Sequence, residues 1–436
     1  MAEMKDSGIE WIGEIPTDWD TKAIRFLILE HFSGAWGNDE KTDSDNNRIC
    51  MRIADFDYFR MQFKENAEYT IRNYTNTEIA NKTLRYGDLL IEKSGGGEKT
   101  PVGRTVVYRL NNKALFANFM DCIRLKENEY NYEFAKYVFY SLYNNGITNL
   151  YYNKTTGIQN LSMQKYLREV KLPFPTLIEQ GKIADFLDKK CAEIDALHTD
   201  IEKQIETLEE YKKSIITEAV TKGLDPDVEM KDSGSVYWKD IPANWKLSDI
   251  KYLFEIVKRI AGKEGYDILS VTQKGLKIKD ISRNEGQIAE SYANYQFVYP
   301  TDFVMNHMDL LTGWVDCSKY FGVTSPDYRV FRLKDKRNSL NYYKYIMQCC
   351  YMDRIFYSLG QGVSNLGRWR LQTESFNNFQ IPVPPAKEQE QIAKYLDEKC
   401  IEIENIILDK QQQLETLKQY KKSLIYEYVT GKKEVK

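Results

Sequence analysis

The chain carries two copies of one segment, and any fold it adopts has to house both. Residues 172–223 align without a gap to 381–432, with nearly half of the positions identical. Repetition on this scale marks a structural unit that is built twice. Ile15-Pro16 and Trp19 recur as Ile241-Pro242 and Trp245, and the run MKDSG at Met4 recurs at Met230. Gly157-Ile158-Gln159-Asn160-Leu161 is echoed by Gly362-Val363-Ser364-Asn365-Leu366. Between these landmarks, 20–156 and 246–361 share nothing comparable. The frame is copied and the inserts are not.

The copied segments read as long helices. Pro173 and Pro175, and Pro382, Pro384 and Pro385 in the second copy, interrupt an extended approach, and Glu179 or Glu388 then suits the positive start of a helix. Apolar or sulfur side chains follow at Ile183, Leu187, Cys191, Ile194, Ile201, Ile205 and Leu208, matched by Ile392, Leu396, Cys400, Ile403, Ile407, Leu414 and Leu417. From the cysteines onward the spacing alternates three and four, the seam of a coiled coil. Roughly 40 residues at 1.5 Å each make a rod of ~60 Å. Two such rods in one chain pack most simply antiparallel, around an internal pseudo-twofold axis. Cys191 and Cys400 then read as small buried hydrophobes. The Tyr-Lys-Lys-Ser runs (Tyr211, Lys212, Lys213 and Tyr420, Lys421, Lys422) suit a solvated face or, being held in register, a partner surface.

Each insert mixes elements. Arg85–Lys93 reads as a turn and strand, Gly103–Tyr108 as a strand and Tyr132–Tyr143 as a helix. In the second insert Phe297–Tyr299, Asp302–Asn306 and Tyr328–Leu333 read as strands and Leu340–Leu359 as a helix. The fold class expected is α+β, two globular domains separated by two long helices. The boundaries are 1–171 for the first domain with its lead-in segment, 172–223 for the first rod, 224–380 for the second domain with its repeated lead-in at 230–245, and 381–436 for the second rod.

Composition narrows the function by exclusion. Seven cysteines and three histidines (His31, His198, His307) form no CxxC pair or zinc spacing, so no metal site is expected. No apolar run is long enough to span a membrane. The net charge of −3, from 61 basic and 64 acidic residues, hides mildly basic inserts between acidic frame segments, a pattern compatible with two polyanion-facing bodies.

The sequence carries no recognisable catalytic motif. Ser94–Thr105 resembles a phosphate loop but has five residues between Gly97 and Gly103, and Arg104-Thr105 where Lys-Ser/Thr belongs. It reads better as flexible glycine-rich backbone flanked by Lys93, Ser94, Lys99 and Arg104, able to approach DNA closely. The methyltransferase run that grips a flipped adenine is missing, and so is a glycine fingerprint for a nucleotide. Asp88 with Glu92-Lys93 is a weak hint of a nuclease pair, of a kind expected by chance. In the loop 360–370, Gln361 and Asn365 suit an adenine edge, Arg368 and Arg370 suit guanine or phosphate, and Ser364 suits either base or backbone. Lys154, Thr155, Gln159 and Asn160 offer the same chemistry at the matching place in the first half.

The arrangement of domain, rod, domain and rod resembles the specificity subunit of type I restriction-modification systems. Leu172-Pro173-Phe174-Pro175, Glu179-Gln180, Ile183-Ala184 and Leu187 carry the resemblance, repeated as Ile381-Pro382-Val383-Pro384-Pro385, Glu388-Gln389, Ile392-Ala393 and Leu396. Ser7-Gly8, Trp11, Ile15-Pro16, Trp19 and Tyr86-Gly87-Asp88 are also similar to that family, and the landmarks cover essentially the whole chain. The second insert has no clear copy of Gly87-Asp88; Thr301-Asp302 is the nearest match. The resemblance implies two target-recognition domains, each reading one half of a split, asymmetric double-stranded DNA site, with the rods as a ruler between half-sites. It implies docking of two modification subunits that use S-adenosylmethionine to methylate adenine N6. It also implies restriction subunits that use ATP and Mg2+, no cofactor bound by this chain, no catalysis of its own, and a cytoplasmic place in a bacterium or archaeon. Two other readings stand beside it. A cytosolic coiled-coil scaffold without sequence-specific DNA binding would account for the rods, though not for two unlike inserts. A self-contained nuclease or methyltransferase would account for DNA binding, and S-adenosylmethionine would then raise its thermal stability.

Overall fold

The computed structural model describes residues 3–64, 67–97, 100–155, 158–280, 291–362 and 369–435, with the backbone alone at 154 and 155. They divide into two units, unit 1 comprising Met1–Glu202 with Gln411–Lys436 and unit 2 comprising Lys203–Lys410.

In unit 1 the strands β1 (Asp20–Ala23), β2 (Ile28–Ser33), β3 (Leu89–Glu92), β4 (Thr105–Val107) and β5 (Met120–Leu125) precede helix α1 (Tyr132–Asn144). The hairpin strands β6 (Tyr152–Thr155) and β7 (Ile158–Leu161), then β8 (Lys171–Phe174) and the first part of the long helix α2 (Leu177–Lys222), whose residues from Lys203 onward belong to unit 2, follow. One antiparallel sheet runs in the order β4-β3-β5-β2, and β8 returns to pair with β1 where the chain leaves for α2. Alternation along the strands gives the sheet two apolar faces. Leu89, Ile91 and Ile123 pack with Phe134 and Val138 of α1 and with Leu187, Cys191 and Ile194 of α2. Leu90, Val106 and Cys122 turn the other way, toward a second sheet that contains Cys50, Met51 and Phe116.

Unit 2 repeats this order with different side chains. It contains β9 (Lys246–Asp249), β10 (Phe254–Val257), β11 (Phe303–Met305), β12 (Val315–Cys317), β13 (Arg329–Leu333), α3 (Leu340–Met352), β14 (Gln380–Val383) and the first part of the long helix α4 (Ala386–Val429), whose residues from Gln411 onward belong to unit 1. Its sheet runs β12-β11-β13-β10, the sequence of positions found in unit 1, and β14 pairs with β9 as β8 does with β1. The helix expected over 340–359 stops at Met352, because Arg354 takes a left-handed φ of +55° that breaks the helical hydrogen-bond series. A single turn, Ile355–Ser358, follows it.

The repeated Glu-Gln pair locks each domain to its long helix. The Trp19 indole N–H donates to Glu179 at 3.0 Å, and Trp245 donates to Glu388 at 2.9 Å. Gln180 is wholly buried; its carbonyl accepts the N–H of Asn131, the N-cap of α1, at 2.8 Å, and its amide donates to Pro175 O at 3.0 Å. Gln389 does the same for Ser339, the N-cap of α3, at 3.0 Å, and for Pro384 O at 3.0 Å. Two turns further along each long helix, Tyr137 donates to Asp188 at 2.5 Å and Tyr345 to Asp397 at 2.7 Å.

Within each unit the two long helices run antiparallel. In unit 1 Phe186 meets Tyr428 while Asp195 meets Lys421. In unit 2 Gly223 lies beside Glu388 while Lys212 meets Glu404. Cys191 and Cys400 are buried in the two cores, and burial pushes the Cys191 thiol up to about 11.

Candidate nucleic-acid interface

In each unit a hairpin is tied to the end of a central strand by the same backbone hydrogen bonds. In unit 1 the Leu161 N–H donates to Lys93 O at 2.7 Å and Gly95 N–H to Gln159 O at 3.2 Å. In unit 2 Leu371 N–H donates to His307 O at 3.0 Å and Leu310 N–H to Trp369 O at 3.2 Å. Lys93 follows β3 as His307 follows β11, so the two hairpins hold equivalent places. Leu371 thus stands where Leu161 does, and Arg370 stands where Asn160 does. The backbone register thus makes Arg370 the counterpart of Asn160, in place of Asn365, to which the Gly-Ile-Gln-Asn-Leu echo points. Ser364, Asn365 and Arg368, like Lys99, lie outside the described residues.

The candidate side chains divide into those spent on the protein and those left at the surface. Gln159 is buried, and its carbonyl accepts Val102 N–H at 3.2 Å, which fixes the glycine loop from beneath. Asn160 is exposed; its carbonyl oxygen accepts from Ser94 Oγ at 2.6 Å, which leaves the amide NH2 as a donor among the described residues. Arg104 grips the buried Glu92 carboxylate at 2.8 and 3.3 Å and is not a free cation. Lys93 is held at 2.6 Å by Asp121. Gln361 and Arg370 are both exposed, and their backbones exchange hydrogen bonds of 3.0 and 3.1 Å at the base of the second hairpin. Lys154 and Thr155 lie in β6, where the backbone alone is described.

Beneath the second hairpin lie groups that letter patterns did not single out. Arg329 is buried with no carboxylate partner among the described residues; it donates to Leu371 O at 3.1 Å and Thr373 Oγ1 at 3.3 Å and stacks on Phe376. Burial brings its pKa down to about 10. Burial, with Arg329 and Arg370 nearby, lowers His307 to about 3, so the imidazole is neutral. Only the strand register exposes this group, since neither residue belongs to a motif.

Gly87-Asp88 and Thr301-Asp302 prove to be the same device. Gly87 and Thr301 adopt φ of +89° and +77°, just ahead of β3 and β11. Asp88 accepts two hydrogen bonds from Arg124, both at 2.8 Å, and Asp302 accepts two from Arg259 at 2.9 and 3.1 Å. Each carboxylate also caps the backbone N–H three residues before it, Arg85 at 2.7 Å and Tyr299 at 2.8 Å. Asp88 and Glu92 are therefore each matched to an arginine, which removes the nuclease hint. Among the described residues no cluster of ligating side chains could hold a metal ion.

On the long helices Tyr211 and Tyr420 are exposed, and Lys422 is partly so. Lys212 pairs with Glu404, and Lys213 with Asp353 at 3.0 Å. Lys421 does not reach the surface. Its ammonium is fully buried between Asp195, the Phe59 carbonyl at 2.7 Å and the Phe59 ring at 4.2 Å.

Comparison with known proteins gives consistent findings. Residues 38–207 and 242–416 match the family described as type I restriction modification DNA specificity domain. The putative type I restriction enzyme MjaX specificity subunit of Methanocaldococcus jannaschii is 24% identical over 446 residues, covering 98% of this chain and 96% of the relative. The MjaVIII specificity subunit of the same organism is 26% identical over 317 residues, 69% of this chain and 70% of that one. A solved chain described under "Structural basis underlying complex assembly and conformational transition of the type I R-M system" superposes with a TM-score of 0.66 at 12% identity, over 95% of this chain and 98% of the other.

Proposed function

The chain belongs to the type I restriction-modification DNA specificity family, as a non-catalytic subunit that supplies DNA sequence specificity, and we propose that each of its units reads one half of a split, asymmetric double-stranded site. The observation that carries this reading is the pair of equivalent hairpins. Their backbone anchoring is the same in both units, while the side chains presented differ, with Asn160, held by Ser94 of the adjoining strand end, in one and Gln361 and Arg370 in the other. A common scaffold holding unlike polar groups at one place is what reading two different half-sites requires.

The long helices in this reading fix the gap between half-sites and offer Tyr211 and Tyr420 to two modification subunits. Those partners would bring S-adenosylmethionine and methylate adenine N6. Restriction subunits would bring ATP and Mg2+ chemistry, and this chain would hold no cofactor. Among the described residues no helix is long and apolar enough to cross a membrane, and the cytoplasm, where the DNA is, is the proposed location.

Co-expression with a modification subunit, followed by mapping of N6-methyladenine across the host genome, tests the proposal. Methylation at a single two-part motif, absent when this chain is omitted, is the expected result. Co-purification without any sequence-specific mark would favour a scaffold.

A further inference from the structure

The polar end of the sheet in unit 1 contains a site that the hairpins do not use. Asp121 of β5 pairs with Ser33 of β2 and Ile91 of β3, and Ile123 pairs with His31. Strand alternation therefore puts His31, Ser33, Asp121 and, two residues beyond Ile91, Lys93 on one face. Further along that face Ile91, Ile123 and Leu89 are wholly buried, so the four polar residues lie where the apolar face ends.

Asp121 is 2% exposed and accepts three hydrogen bonds, from His31 Nε2 at 2.8 Å, Ser33 Oγ at 2.7 Å and Lys93 Nζ at 2.6 Å. Burial alone would raise its carboxyl pKa; the hydrogen bonds from His31, Lys93 and Ser33 outweigh that and hold it below the usual range. Lys93 also donates to Ser33 Oγ at 2.7 Å, so two of its three N–H groups are spent and one is left among the described residues. His31 and Ser33 are exposed, and the Lys93 side chain is 24% exposed. A carboxylate taken out of water to fix the ammonium of a partly exposed lysine costs more than an ordinary surface ion pair. Fixed donors of this kind serve recognition. The matching place in unit 2 is built differently. Arg329 faces Met305 there as Asp121 faces Ile91, and His307 stands for Lys93.

We propose that Lys93, its ammonium oriented by Asp121 and flanked by His31, donates its remaining N–H to an acceptor on the DNA half-site read by unit 1. Asp121 is then a positioning residue. The inference rests on the specificity reading above. The acceptor belongs to a guanine edge or to a backbone phosphate, and the test separates these.

The full complex with its modification subunits is used to select duplexes from a randomised pool and to measure affinity against salt, for wild type, Lys93→Met, Asp121→Asn and His31→Gln. With a guanine edge, K93M and D121N each lose about ten-fold in discrimination at the same base pair of one half-site, and the other half-site is unchanged. With a phosphate, affinity falls alike on all sequences and the salt slope drops by about one. Variants that melt like wild type yet keep both sequence preference and salt slope would overturn the proposal. An effect of K93M with none from a folded D121N would overturn the positioning role. If D121N fails to fold, K93M carries the test. A wild-type complex that selects no sequence would overturn the specificity reading itself, and this proposal with it.

Discussion

Lys421 reaches Asp195 across the antiparallel helices of unit 1, and the same pair, Lys212 with Glu404, recurs one repeat away in unit 2. The duplication copied the interaction, and the inserts changed its environment. In unit 1 Phe59 covers the ammonium completely, whereas the Lys212 side chain stays 29% exposed.

The difference predicts unequal costs for one substitution. Lys421→Ala leaves the mostly buried Asp195 and the Phe59 carbonyl without their cation and costs about 3 kcal/mol or more. Lys212→Ala removes a solvent-exposed pair and costs under ~1 kcal/mol. Chemical unfolding of both variants checks the ratio.

The buried Gln389 holds three groups at once, the Ser339 N–H, Asn338 Oδ1 and Pro384 O. Gln389→Ala leaves the buried Pro384 carbonyl and the half-buried Ser339 N–H without this partner, and a loss of roughly 2 kcal/mol is expected. Gln180→Ala has the same effect in unit 1. A melting shift of similar size in both variants, with the helix content of the folded state unchanged, is the outcome to look for.

Stability should fall on mild acidification because of His307. Its folded pKa is depressed to about 3, so between that value and the unfolded value the unfolded chain binds a proton that the folded chain refuses. The contribution is intact above the unfolded pKa of ~6.5 and shrinks as pH drops, by ~2 kcal/mol at about pH 5. His307→Asn, compared with wild type in melts from neutral pH to about pH 5, flattens that dependence.

If the long helices set the distance between half-sites, one extra heptad in each changes it. Seven residues add ~10 Å of helix, about three base pairs of DNA. A pair of insertions, one after Glu202 and one after Lys410, should therefore lengthen the spacer of the recognised motif and leave its two halves unaltered.

Legibility in the sequence followed the range of the interactions. Trp19, Glu179 and Gln180 stand out because their partners are frame residues and the whole device was copied. The Thr301-Asp302 turn was recognisable as the nearest match to Gly87-Asp88, but its equivalence depends on Arg259, which no local pattern ties to Asp302. At the hairpins the letters repeat at Asn365, whereas the backbone bonds select Arg370. Lys421 reads as a solvated lysine in its own helix. Only the fold brings Phe59 over it, from a segment 362 residues away along the chain. The Asp121 cluster was invisible for the same reason, as its members come from three strands.

Two units that read separate halves of one DNA site should be separable by mutation. The most direct measurement maps adenine methylation for the co-expressed complex in three forms: wild type, a Ser94→Ala/Asn160→Ala variant, and a Gln361→Ala/Arg370→Ala variant. Each double variant is predicted to relax sequence preference in one half of the motif only, and the two variants in opposite halves. Loss of preference in both halves together, or in neither while the proteins remain folded and assembled, would contradict it.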